Sequence, residues 1–169
     1  MTFLTSLGSK NIDPAKAKLE VRILSTNPVL EAFGNSKTAR NNNSSRFGKY
    51  VKLYFDHTDG KVLGAEIKNY LLEKSRVVGN TEKERNYHAF FFMLRGCSDK
   101  MAKTLMINKP DGKRMTPLDF NYMKIFSDLT VESDVKEYKD LMEAFNHLGF
   151  TDEEQDAIHR VTFACLFIG

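Results

Sequence analysis

Residues 27–49 read NPVLEAFGNSKTARNNNSSRFGK, and KYVKLYF (49–55) follows at once. Three asparagines, two serines and Arg46 crowd the segment just before an alternating apolar strand. Asparagine amides donate to phosphate oxygens without adding charge. Serine hydroxyls ligate Mg²⁺ or bond a phosphate oxygen. A guanidinium forks onto a carboxylate or phosphate. On composition alone the same residues also describe an ordinary surface loop, in which Asn and Ser satisfy turns.

Outward from this loop the pattern is clear in places. Val51, Leu53 and Phe55 fall on one strand face, and Tyr50, Lys52 and Tyr54 on the other. The DHTDG turn at 56–60 and the run from Lys61 to Leu72 complete an antiparallel hairpin. Gly64 marks a candidate bulge, and EKSRVVGN (73–80) reads as extended chain and loop. Upstream, Lys18–Thr26 has a helical pattern that Asn27-Pro28 should break or kink. A short helical turn then runs from Pro28 to a stop at Gly34. Residues 9–17, with Pro14, read as a surface loop.

Downstream, TEKERNYHAFFFMLRG (81–96) predicts a helix opened by a Thr81/Glu84 capping box. Tyr87, Phe90, Phe91 and Leu94 share its apolar face. SDKMAKTLMI (98–107) predicts a short helix, and 108–121 an irregular surface segment. SDVKEYKDLMEAFNHLG (133–149) predicts an amphipathic helix with Val135, Tyr138, Leu141, Met142 and Phe145 as its stripe. A second capping box, Thr151 with Glu154, opens the last helix, where acids favour the positive dipole end.

The 169 residues suit one domain or part of one. A formal charge of +3, with acids and bases interspersed, demands neither a nucleic-acid nor a membrane partner. No apolar run is long enough for a transmembrane helix, and the N-terminus lacks the basic and long apolar regions of a signal peptide. Cys97 and Cys165 read as reduced, buried thiols. His88 reads as a hydrogen-bonded structural histidine and the Phe90–Phe92 run as core. Lys109, Lys113 and Arg114 read as a small solvated basic patch. The apolar stretch from Val161 to Gly169 and the apolar start MTFLTSLG both look cut, so the chain is expected to be a piece of a larger domain.

The string NPVLEAFGNSKTARNNNSSRFGK strongly resembles the segment of myosin motor domains that ends in switch I. Every fixed position of the family pattern N-P-x-L-E-A-F-G-N-x-K-T followed by N-x-N-S-S-R-F-G-K is present. YLLEKSRV (70–77), ERNYHAFFFML (84–94) and, more loosely, HLGFTDEEQDAI (147–158) also resemble myosin, in the family's order. The resemblance covers the chain from about residue 3 to its end.

The resemblance implies an α/β fold: a fragment of a P-loop NTPase-type motor, with an antiparallel hairpin of a mixed central sheet and flanking helices. Residues 8–18 would be a loop 1-like surface loop, 35–48 the switch I region and 49–69 the transducer-like hairpin. Residues 81–169 would be the helical upper 50 kDa portion. It implies an actin-based motor that hydrolyses ATP with Mg²⁺, located in the cytoplasm on the cytoskeleton. Actin filaments and light chains would be partners of the parent motor; no nucleic acid and no membrane insertion are implied. Asn41 and Asn43 would face the nucleotide phosphates. Ser44 would contact the γ-phosphate and the attacking water, and Ser45 would ligate Mg²⁺. Arg46 would form a salt bridge with a switch II glutamate, so Ser44 and Arg46 would serve catalysis.

The phosphate-binding loop G-x-x-x-x-G-K-[ST] does not occur in these residues. The chain alone is therefore expected to be inactive. Two other readings remain: a non-catalytic motor remnant that binds partners, and an RNA-binding module. RFGKYVKLY (46–54) faintly resembles the RNP1 string, and Tyr50 and Tyr54 share a face with Lys52.

Overall fold

A helix buried on every side organises the structure. The computed structural model describes residues 14–124, 126 and 129–169, and in the first helix it describes side chains from Arg22 onward. The chain order is α1 (Pro14–Gly34), β1 (Asn35–Ser36), β2 (Ser44–Ser45), β3 (Phe47–Phe55) and β4 (Val62–Leu72). Then come α2 (His88–Gly96), α3 (Asp99–Thr104), α4 (Val131–Leu148) and α5 (Asp152–Ile168). From His88 to Leu94 every residue of α2 is buried. It packs against α1, α4 and α5. Each fully buried large apolar side chain there contributes about 1.5–3 kcal/mol, so α2 forms the centre of the core.

Two expectations about α1 fail. Pro14 lies in no surface loop but is the first residue of the helix, a place where its missing N–H and fixed φ are harmless. Residues 9–13, and the apolar start of the chain, lie outside the described residues. Pro28 does not break the helix, which runs unbroken to Gly34. The proline deletes one backbone hydrogen bond. Packing outweighs that loss: Ile23 and Ala32 are buried on either side of it, and α1 lies along α4.

The sheet content is two separate two-stranded antiparallel ladders among the described residues. β3 and β4 form the expected hairpin. Its register slips between Tyr54 and Phe55, which pair with Gly64 and Val62, so the bulge falls at Leu63 beside the predicted Gly64. Gly60 closes the turn with φ +68°, and its N–H donates to the Asp56 carbonyl at 2.9 Å. Alternation along β3 holds as far as Tyr54, with Val51 and Leu53 half-buried and Tyr50, Lys52 and Tyr54 exposed; Phe55, expected on the Val51 face, is exposed beyond the register slip. The small antiparallel ladders and packed helices agree with the α/β reading at that coarse level.

The 81–96 helix begins seven residues late, at His88. Thr81 and Glu84 close a turn instead, Glu84 N–H donating to the Thr81 carbonyl at 3.0 Å. Arg85 N–H donates to the Lys37 carbonyl at 2.9 Å and Tyr87 bridges Ser36, so residues 85–87 line up beside β1. Residues 74–77 form a 3₁₀ turn rather than extended chain.

The downstream helices match. Ser98 caps α3. α4 starts at the Thr130 cap and stops at Gly149, whose φ of 87° is left-handed and suits glycine. α5 opens with the Thr151/Glu154 capping box. Cys97 is buried, but Cys165 is exposed, against expectation. The basic patch lies at the surface, as read, and each of its cations has an acidic partner. Lys109 pairs with Asp119 at 2.8 Å, Lys113 with Asp111 at 3.5 Å and Arg114 with Asp99 at 2.8 Å.

Candidate functional site: the Asn41–Arg46 segment

The polar segment is held at both ends by backbone pairing. β1 and β2 pair antiparallel, Asn35 opposite Ser45 and Ser36 opposite Ser44. Arg46 N–H donates to the Gly34 carbonyl at 2.8 Å, and Thr38 N–H to the Asn41 carbonyl at 2.8 Å. The loop is thus a closed excursion from the end of α1 to the start of β3. Gly34 sits where any Cβ would run into the Phe47 ring, which accounts for the glycine at the base of the loop.

Within that frame the side chains make several separate groups of hydrogen bonds. Asn41 Oδ1 accepts from Asn43 N–H at 2.8 Å, an Asx turn. Asn43 Oδ1 accepts from Asn35 Nδ2 at 2.9 Å, and its own Nδ2 donates to Glu31 Oε2 at 2.9 Å. Ser45 Oγ donates to the Phe47 carbonyl at 2.9 Å. Asn41, Asn43 and Ser45 are exposed, Ser44 and Arg46 half-buried. The five residues singled out from sequence therefore lie together on one short stretch, with amides and hydroxyls at the surface.

Arg46 is the anchored member. Its Nε donates to Glu73 Oε2 at 2.6 Å, and its Nη1 to Ser44 Oγ at 3.3 Å. Glu73 N–H returns a bond to the Arg46 carbonyl at 3.0 Å. The same carboxylate accepts from Arg76 Nε at 2.7 Å, and Arg76 reaches Glu84 at 2.9 Å. Chiefly the Arg46 bond holds the Glu73 carboxyl below its ordinary range; burial, the next largest effect, opposes it, and Arg76 adds to the lowering. Tyr87 Oη donates to the Glu73 carbonyl at 2.7 Å. Glu73 thus ties the loop to β4 and to the 85–87 segment. Sequence reasoning placed Glu73 and Arg76 in a recognised stretch but gave them no role. Their i, i+3 spacing was the available signal.

Behind the loop a second, buried ionic cluster fixes α2 to α4. Arg85 forks onto Asp134 at 2.8 and 3.2 Å, and Arg95 Nη1 reaches Asp134 Oδ2 at 2.5 Å. The Arg85 guanidinium lies 3.6 Å above the Phe91 ring centroid. His88 is buried and has a backbone hydrogen bond at Asn42, as expected of a structural histidine, while its Nδ1 has no hydrogen-bond partner among the described residues.

This geometry can be set beside known proteins. The myosin head (motor domain) family model matches residues 1–169. The chain belongs to the myosin head family. It is 41% identical to the myosin ID heavy chain of Dictyostelium discoideum over 171 residues, all of this chain and 14% of that protein. It is 46% identical to myosin-1 of Neurospora crassa over 147 residues, 87% of this chain and 11% of that protein. To myosin-14 of Arabidopsis thaliana it is 39% identical over 171 residues, all of this chain and 11% of that protein. The chain thus spans between a tenth and a seventh of the length of these relatives. Among the described residues no helix is long and apolar enough to cross a membrane.

Proposed function

We propose that this chain is the switch I and upper 50 kDa part of an actin-based motor that hydrolyses Mg²⁺-ATP. The observation that carries the reading is the closed Asn41–Arg46 loop. It presents exposed amides and hydroxyls and carries one arginine pinned to a carboxylate. The donor set fits a polyphosphate with its cation: amide N–H groups and hydroxyls, with no carboxylate among residues 41–46. Bound Mg²⁺ would neutralise charge developing on the phosphates.

In this reading Asn41 and Asn43 donate amide N–H groups to phosphate oxygens, and Ser45 supplies a hydroxyl ligand to Mg²⁺. Ser44 positions the attacking water against the γ-phosphate. Arg46 steadies Ser44 through the 3.3 Å bond. On closure it exchanges Glu73 for a carboxylate from a switch II segment outside this chain, shutting out bulk water. The β3–β4 hairpin acts as part of the transducer. The chain alone lacks the phosphate-cradling loop, so most of the backbone amides that bind nucleotide are absent. The isolated chain is inactive; calorimetry giving a low-micromolar ATP affinity for it would refute this.

The experiment is fluorescent-nucleotide binding and actin co-sedimentation with the full-length protein. The motor reading expects tight, Mg²⁺-dependent nucleotide binding and release from actin on adding ATP. Actin binding insensitive to ATP would instead support a non-catalytic remnant.

A further inference from the structure

One oxygen, Glu73 Oε2, carries two guanidiniums at once. Arg46 Nε donates to it at 2.6 Å and Arg76 Nε at 2.7 Å. Like charges repel, so each cation weakens the other's hold on that oxygen. The two are not anchored alike. The Arg76 side chain is buried. Its Nη2 also reaches Glu84 Oε2 at 2.9 Å, and its Nη1 donates to the Arg85 carbonyl at 3.0 Å. Arg46 is partly exposed, and beyond Glu73 its guanidinium gives the long 3.3 Å bond to Ser44 Oγ.

Glu73 keeps its place whichever cation it holds. Its N–H donates to the Arg46 carbonyl at 3.0 Å, and its carbonyl accepts from Tyr87 Oη at 2.7 Å. These bonds use backbone atoms of Glu73 and do not depend on its carboxylate. Taking the partner from a partly buried carboxylate is ordinarily costly, because the charge is left uncompensated. Here Arg76 stays on Oε2 when Arg46 leaves.

We propose that Glu73 and Arg76 are positioning residues for the polar loop: Glu73 retains Arg46, and Ser44 with it, in the resting arrangement, and Arg76 lowers the cost of letting Arg46 go. The balance between retention and release is thus set by a buried arginine outside the loop. Retention stands on the bonds just given; its bearing on closure over nucleotide rests on the motor reading.

The two residues act with opposite signs, which a shared structural role does not produce. Glu73→Gln removes the charge that retains Arg46 and eases its release. Arg76→Gln removes the competing cation, so Arg46 binds Glu73 more tightly. Arg76→Lys keeps the charge without the fork and falls between wild type and Arg76→Gln.

The test uses the full-length protein and two measurements. Without nucleotide, amide hydrogen exchange over residues 40–48, read by mass spectrometry, should be about threefold faster in Glu73→Gln and about threefold slower in Arg76→Gln, the scale of a partly exposed ion pair. In single turnovers with Mg²⁺-ATP, the hydrolysis step should be faster in Glu73→Gln and slower in Arg76→Gln, with nucleotide affinity within about twofold of wild type. Should Arg76→Gln not fold, Arg76→Lys carries the same test with the same sign. Exchange that moves the same way in both variants, or not at all, would overturn the proposal. Opposite shifts in exchange with hydrolysis lowered in both would overturn the link to closure. Opposite shifts in exchange with no hydrolysis by the wild type would overturn the motor reading and leave the hold of Glu73 on Arg46 standing.

Discussion

Arg46 Nε and Glu73 Oε2 lie 2.6 Å apart, joining the end of the polar loop to the residue just after β4. Glu73 has a pKa below its ordinary value in the folded chain. A carboxyl so shifted stabilises the fold fully above its unfolded value. That stability is lost as pH falls through the lower folded value. Glu73→Gln should therefore cost about 1 kcal/mol near neutral pH, a modest figure because both partners are partly exposed. Urea unfolding of the two proteins should differ at pH 7 and converge in acid below the ordinary carboxylate range. A difference that persists undiminished there would contradict the ion pair as its cause.

Asp134 carries two guanidiniums in a buried setting. Removing it takes away the buried carboxylate that both guanidiniums share. Asp134→Ala should cost about 3–5 kcal/mol, read as a fall in the denaturant midpoint. Glu153→Gln, on an exposed residue in the first turn of α5, should stay within about 0.5 kcal/mol.

His88 predicts an acid sensitivity in a different pH window. Its folded pKa of about 4 lies below the ordinary histidine value of 6.5. The unfolded chain takes up the proton first, so stability falls as pH drops from 6.5 toward 4. The loss amounts to about 3 kcal/mol. His159 is shifted the same way, chiefly by burial. His88→Gln should flatten the slope of stability against pH across that window. An unchanged slope would show that His88 is not held neutral.

Gly96 ends α2 against Tyr138 of α4, where a Cβ would overlap the base of the tyrosine side chain. Gly96→Ala should destabilise by about 1–3 kcal/mol through forced displacement of that packing. Gly79 has open space around it, and Gly79→Ala should change the thermal midpoint little.

Elements whose signal is local were legible in the sequence. The β3–β4 hairpin declares itself by strict alternation and an Asp59-Gly60 turn. α4 does so by a 3.6-residue apolar stripe that stops at Gly149, and α5 by its Thr151/Glu154 capping box. What failed was local pattern overridden by distant partners. Residues 81–87 carry a capping-box spelling. But Arg85 is claimed by Asp134, and Asn86 Nδ2 by the carbonyls of Val77 and Tyr122, so the helix waits until His88. Pro28 spells a break that α4 packing suppresses. The polar loop could be identified by its motif, but its anchor could not. Glu73 lies 27 residues away from Arg46, and only the antiparallel return of β4 brings the two together.

The most direct test of the motor reading is single-turnover ATP hydrolysis by the full-length protein, wild type against Arg46→Ala. If Arg46 steadies Ser44 and closes the site, nucleotide should still bind within about tenfold of wild type while hydrolysis falls about a hundredfold or more. Hydrolysis at the wild-type rate in the Arg46→Ala protein would contradict the assignment of residues 41–46 as the nucleotide-sensing loop.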